Sequence, residues 1–223
     1  MTSALYESPV VINDFNDSMA SVIWLHGLGA DGYDFAPVVK MLKLANVRFI
    51  LPHALFRKVT RNNGVKMRAW YDVYGSTTNS QEDALGIRES QLYIESLINN
   101  EINRGIPASK IVIAGFSQGG ALALHTALRF KQALAGVIAL SAYCPLQATL
   151  AAEKTPENLA INFFMAHGSH DEVITMQICQ ASLKLLQSQQ YKIDWHEYEM
   201  EHTVCAQEIE YIRQFLISSL KIK

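Results

Sequence analysis

Cysteine is scarce in this 223-residue sequence: only Cys144, Cys179 and Cys205 are present. An odd number at wide spacing favours neither a disulfide framework nor a zinc site, so reduced thiols are expected. Charge is also sparse, at 18% of residues with a net charge of −2. No basic block draws the chain toward nucleic acid or an anionic membrane surface. No apolar run approaches the ~20 residues of a membrane span. The first residues, MTSALYESPV, lack the basic and apolar regions of a signal peptide. There is no second-position glycine for myristoylation, and the final KIK is no prenylation signal. These absences lead to the expectation of a cytoplasmic protein with no stable membrane anchor. No repeat, Pro-rich linker or low-complexity tract divides the chain, which predicts one domain over residues 1–223. A hydrophobic share of 49% suits a globular core rather than a disordered chain.

Short apolar runs alternate with helical patterns. Strands are predicted at Ser21–Leu25, Val47–Leu51, Lys110–Ala114, Ala135–Leu140, Ile161–Ala166 and Lys192–Tyr198, with Val10–Phe15 as a candidate edge strand. Helices are predicted at Asp34–Leu42, Asp83–Asn103, Gly120–Phe130, Thr175–Gln189 and Ala206–Leu220. Runs such as Ile111–Ala114 and Val137–Leu140 are apolar throughout, as expected of strands covered by helices on both faces of a mostly parallel sheet. The fold class is therefore α/β. In such sheets ligands bind beyond the carboxyl ends of the strands, so the residues delivered there carry the argument.

After the third long strand comes Gly115-Phe116-Ser117-Gln118-Gly119, a G-x-S-x-G pattern. That pattern lifts a serine above the sheet on a sharp strand-to-helix turn. Alone it is moderately specific, and a glycine turn that merely packs a helix on a strand also fits it. An apolar run before it and an apolar helix after it supply the context the motif requires. The helix N-terminus adds amide N–H groups that favour developing negative charge.

A serine hydroxyl needs an adjacent base, usually histidine, and the histidine needs a carboxylate that holds its tautomer. In this strand order the acid precedes the base. Asp171 and His202 satisfy that order, each just beyond a predicted strand. Glu172 is expected to start the next helix and point elsewhere. Asp194 and His196 fall within a strand, His170 comes too early in the chain, and His125 lies in a helix. Acyl transfer also needs two N–H donors for the oxyanion. The amide of Gln118 is one candidate. The other is the amide of Leu28, in the glycine-rich run His26-Gly27-Leu28-Gly29-Ala30-Asp31-Gly32. A metal at His26 and His53 is disfavoured because no second ligand pair has suitable spacing, and no cofactor is implied. The stretch Val59–Tyr74 is expected to be a long loop. Trp70 and Tyr71 are candidates to wall a pocket lined by Leu28, Leu55, Phe56 and Val173, with ordinary packing an equal alternative for the aromatics.

Taken together, these motifs resemble the carboxylesterase and acyl-protein thioesterase family of α/β-hydrolases. The resemblance rests on Leu25–Gly32, Met67–Asp72, Gly115–Gly120, His167–Val173, and His202 with Val204-Cys205. It implies a cofactor-free serine hydrolase of carboxylic esters and thioesters, acting on short-to-medium acyl chains with long ones left open. It assigns Ser117, Asp171 and His202 to a triad, and Leu28 and Gln118 to the oxyanion hole. Expected partners are a small ester or thioester, an acylated protein or a lysolipid, and a weak homodimer. Two positions depart from the family pattern. Glu201 stands where many relatives carry a small residue or an amide, and a carboxylate there is expected to shift the rise of activity slightly alkaline. Cys144 stands where relatives tend to carry a bulkier apolar residue, which alters the pocket. An amidase, peptidase or lysophospholipase on the same residues is the rival within enzymes, and a non-catalytic binding protein is the rival outside them.

Overall fold

The structure is a computed structural model that describes residues 6–15, 18–75 and 82–222. Among the described residues there are nine strands: β1 Val10–Ile12, β2 Ala20–Leu25, β3 Val47–Leu51, β4 Phe56–Val59, β5 Val65–Arg68, β6 Ile111–Phe116, β7 Gly136–Leu140, β8 Asn162–Gly168 and β9 Ile193–Tyr198. Six α-helices accompany them: α1 Ala36–Leu42, α2 Ala84–Asn103, α3 Gln118–Ala127, α4 Gln147–Glu153, α5 Met176–Ser188 and α6 Ala206–Leu220. Seven strands form one sheet in the order β1-β3-β2-β6-β7-β8-β9. Only β1 runs antiparallel to its neighbour. This is the α/β arrangement that the apolar strands predicted.

Both faces of the sheet are buried because successive side chains point to opposite sides. Ile23, Leu25, Ile113 and Val137 pack toward α2, α3 and α5 through Ile94, Ile98, Leu124 and Leu186. Their chain neighbours Val22, Trp24, Val112 and Ile138 pack toward α1 and α6 through Val39, Leu42, Ile212 and Leu216. Fully burying each such aliphatic side chain contributes about 1.5–3 kcal/mol. Two apolar layers therefore clamp the sheet and fix where its carboxyl edge lies.

Two elements depart from the predicted pattern. The supposed loop Val59–Tyr74 is mostly a hairpin, in which β4 and β5 pair antiparallel with Phe56 opposite Arg68 and Val59 opposite Val65. Its tip places Asn63 and Gly64 at positive φ, the conformation an Asn-Gly turn favours. The short helix α4 lies in a stretch for which no helix was predicted. The candidate edge strand at Val10–Phe15 is present as the shorter β1.

Candidate active site

The nucleophile candidate stands where β6 turns into α3. Ser117 has φ 54° and ψ −121°, a strained backbone of the kind found where structure is held for function. Its amide donates to Leu140 O at 2.8 Å and its carbonyl accepts from Ala121 N at 3.0 Å. The flanking glycines make the turn possible. A Cβ on Gly115 would sit 2.3 Å from the Gly119 backbone, and one on Gly119 would sit 2.4 Å from Leu25 O. The helix can therefore start directly against the end of β2.

Asp171 and His202 converge on this serine from the ends of β8 and β9. Gly168 allows it, since a Cβ there would lie 2.3 Å from Met200 O and 2.4 Å from Glu201 O. The loop carrying His202 thus rests on the end of β8, tied by Ser169 N to Tyr198 O and His170 N to Met200 O. His202 Nδ1 lies 2.6 Å from Asp171 Oδ2, and His202 Nε2 lies 2.9 Å from Ser117 Oγ. The other carboxylate oxygen accepts from the amides of Val173 and Ile174 at 2.8 and 2.9 Å. Asp171 is thereby fully ligated with its side chain buried, while the His202 ring stays partly exposed and packs on Phe116 at 4.7 Å between centroids.

Three further histidines, His26, His53 and His167, are buried near this chain. The His167 ring donates from Nε2 to Ile174 O at 2.7 Å, and burial lowers its pKa. His26 accepts the Ala54 amide at Nε2, 3.0 Å away, and lies 2.7 Å from Gly27 O through Nδ1. His53 Nδ1 accepts from the Gly32 amide at 3.1 Å. Both ring nitrogens of His26 are thus engaged, and Nδ1 of His53 is. Among the described residues, no three or more His, Cys, Asp or Glu side chains are grouped to hold a metal ion. The Asp194–His196 pair does exist, at 2.9 Å, but it lies on the edge strand β9.

A cavity of 610 Å³ opens at Ser117, Gln118 and His202. Of the predicted pocket residues, Leu28, Tyr71 and Val173 line it, whereas Leu55, Phe56 and Trp70 do not. Phe56 is exposed on β4 with the Arg68 guanidinium over its ring. Trp70 is wholly buried, and its indole N–H donates to His26 O at 2.8 Å. The wall also includes Tyr143, Cys144, Gln147 and Ile178. Tyr143 and Tyr71 share a hydroxyl contact of 2.9 Å. Cys144, a departure from the family pattern, is thus part of the cavity lining. Glu201 is exposed, and among the described residues its side chain makes no hydrogen bond or ion pair.

Leu28 and Gln118 line the cavity together with Ser117. Neither N–H is taken by another group among the described residues, although the next amide, Gly29 N, is bound to Arg68 O at 2.8 Å. The arrangement sets a histidine nitrogen to accept the serine proton and leaves two backbone N–H groups of cavity-lining residues without a partner among the described residues.

The phospholipase/carboxylesterase family model matches residues 6–220. The chain belongs to this family. Acyl-protein thioesterase 1 of Neurospora crassa is 38% identical over 233 residues, covering 99% of this chain and 95% of the relative. Acyl-protein thioesterase 1 of Cryptococcus neoformans is 37% identical, covering 91% and 93%. Among solved structures, Zea mays acyl-protein thioesterase 2 superposes with a TM-score of 0.88 at 25% identity, covering 96% and 100%. Arabidopsis thaliana SOBER1 gives 0.85 at 29%, covering 90% and 99%. The fold is thus that of the α/β-hydrolases, and this phospholipase/carboxylesterase family member is an enzyme of the esterase and thioesterase kind. Among the described residues, no helix is long and apolar enough to cross a membrane.

Proposed function

We propose that the protein hydrolyses carboxylic esters and acyl thioesters in two steps through an acyl-enzyme on Ser117. The observation that carries this is the continuous hydrogen-bonded chain Ser117–His202–Asp171 at the mouth of the cavity. His202 accepts the Ser117 proton as Oγ attacks the acyl carbon. Asp171, held by two backbone amides, keeps the His202 proton on Nδ1 and stabilises the imidazolium that forms. The amides of Leu28 and Gln118 receive the oxyanion. His202 then gives that proton to the departing alkoxide or thiolate, which leaves as alcohol or thiol and returns the ring to its neutral form. Water, activated by the same ring, attacks the acyl carbon and frees Ser117 and the acid.

The acyl chain lies along Tyr71, Tyr143, Cys144 and Ile178, and the leaving group exits toward Val173 and the solvent. The names of the curated relatives favour an acylated protein as one substrate. The test is a panel of p-nitrophenyl esters, acyl-cysteine peptides, lysophospholipid and peptide amides at matched chain length. Higher kcat/KM on oxoester and thioester than on lysolipid or amide supports the proposal. Preference for lysolipid or amide by tenfold or more contradicts it.

A further inference from the structure

We propose that His26 is the positioning residue of the oxyanion hole, holding the Gly27–Leu28 peptide so that the Leu28 N–H faces the acyl group on Ser117. This rests on the assignment of the Leu28 amide in the proposed function. An amide N–H can only donate, so the 3.0 Å contact from Ala54 N leaves His26 Nε2 without a proton. A neutral ring then carries its one proton on Nδ1, which donates to Gly27 O at 2.7 Å. The Gly27 carbonyl and the Leu28 N–H belong to one planar trans peptide and point in opposite directions. Holding the oxygen on the ring therefore aims the N–H the other way. The turn's own hydrogen bond to that oxygen, from Ala30 N, is longer at 3.3 Å.

The ring is 1% exposed and does not line the cavity, so it acts only through this peptide. Burial pushes its pKa down to about 4, against a smaller opposing pull from the Gly27 carbonyl. The ring stays neutral, in one tautomer, wherever a histidine base is active. The second donor is tied to the same frame. The Gln118 side chain accepts from Trp70 N at 2.9 Å and donates to Tyr71 O at 2.7 Å, while the Trp70 indole holds His26 O.

The experiment compares His26→Gln with His26→Asn in the full chain. Asparagine places an N–H near the position of Nδ1 and can still hold Gly27 O. Glutamine reaches the Nε2 position and cannot. His26→Gln is expected to lose about 30- to 100-fold in kcat, with KM within threefold and an unchanged pH profile. Affinity for a trifluoromethyl ketone, whose adduct carries an oxyanion, should fall in parallel. His26→Asn should stay within about fivefold of wild type. A folded His26→Gln with kcat within twofold of wild type overturns the proposal, as does an asparagine variant no better than the glutamine one. If His26→Gln does not fold, the ¹⁵N-histidine spectrum of the wild type decides. The proposal requires a pH-invariant Nδ1–H tautomer for His26 between pH 5 and 9, and an Nε2–H tautomer overturns it. Ser117→Ala separates the two levels: full turnover there removes the mechanism itself, whereas an inactive Ser117→Ala beside a fully active His26→Gln removes only this inference.

Discussion

Substituting Gly119 by alanine tests the spacing on which the oxyanion site depends. The new Cβ would lie 2.4 Å from Leu25 O and 2.5 Å from His26 O, and real contacts of this kind essentially never fall below 3.0 Å. The first turn of α3 and the end of β2 must therefore separate by at least 0.6 Å (3.0 − 2.4). The first of these segments carries the Gln118 amide, and the second leads within three residues to the Leu28 amide. A donor about 2.9 Å from its oxygen would move to about 3.5 Å, beyond useful hydrogen-bond range. Losing one such donor costs about 10²–10³ in kcat, and overpacking costs about 1–3 kcal/mol of stability. Gly119→Ala is expected to lower kcat about 10²-fold with little change in KM, because these donors engage the transition state more than the ground-state carbonyl. The assay is steady-state hydrolysis of p-nitrophenyl butyrate, with a thermal melt on the same sample to confirm folding. A folded variant with kcat within twofold of wild type would refute the reasoning.

Further outcomes follow from other residues. In Asp171→Asn, the amide oxygen can still accept from Val173 and Ile174, but the amide nitrogen faces His202 Nδ1 and forces the ring proton onto Nε2. A kcat loss of about 10⁴-fold with a nearly unchanged Tm is expected, and a loss under tenfold would contradict it. Cys144→Leu adds carbon to the cavity wall, so the chain-length optimum should move to shorter acyl groups, each excluded methylene costing about 0.8 kcal/mol or roughly fourfold in kcat/KM. An unchanged optimum in a C2–C12 ester series would place the acyl chain elsewhere. Glu208 is fully buried in the first turn of α6, and burial pushes its pKa up to about 8 from 4.5. Between those values the unfolded chain is ionised while the folded one holds its proton, so this group's contribution declines as pH rises and is lost above about 8. Glu208→Gln should therefore match wild type in urea melts at pH 5 and gain on the order of 3 kcal/mol over it by pH 9. Parallel pH curves for the two proteins would count against the buried carboxyl.

Much of the fold could be read from residue pattern because the strands of a doubly covered sheet are apolar on both faces. Ile111–Ala114 and Val137–Leu140 admitted little else. The Ser117, Asp171 and His202 positions were legible because each follows a strand, where a side chain reaches the carboxyl edge. The hairpin at β4 and β5 was missed although Asn63-Gly64 signals one, since its strands are half-exposed and carry Arg57, Lys58, Lys66 and Arg68 among few apolar residues. For Trp70 the sequence leaves a pocket wall and ordinary packing equally open, because an aromatic near a motif fits both. Its partner, the His26 carbonyl, lies 44 residues away in the chain, and backbone acceptors leave no mark in side-chain composition. The same holds for His26, whose two contacts are both to main-chain groups. Cavity residues on α4 and α5, such as Gln147 and Ile178, depend on how those helices pack, which periodicity does not specify.

The central claim is that Ser117 forms the acyl-enzyme, and hydrolysis of a short p-nitrophenyl ester by Ser117→Ala tests it most directly. Turnover is expected to drop by about 10⁶-fold, to the level of the buffer blank, in a protein with wild-type Tm. A Ser117→Ala variant that keeps turnover within tenfold of wild type would contradict it.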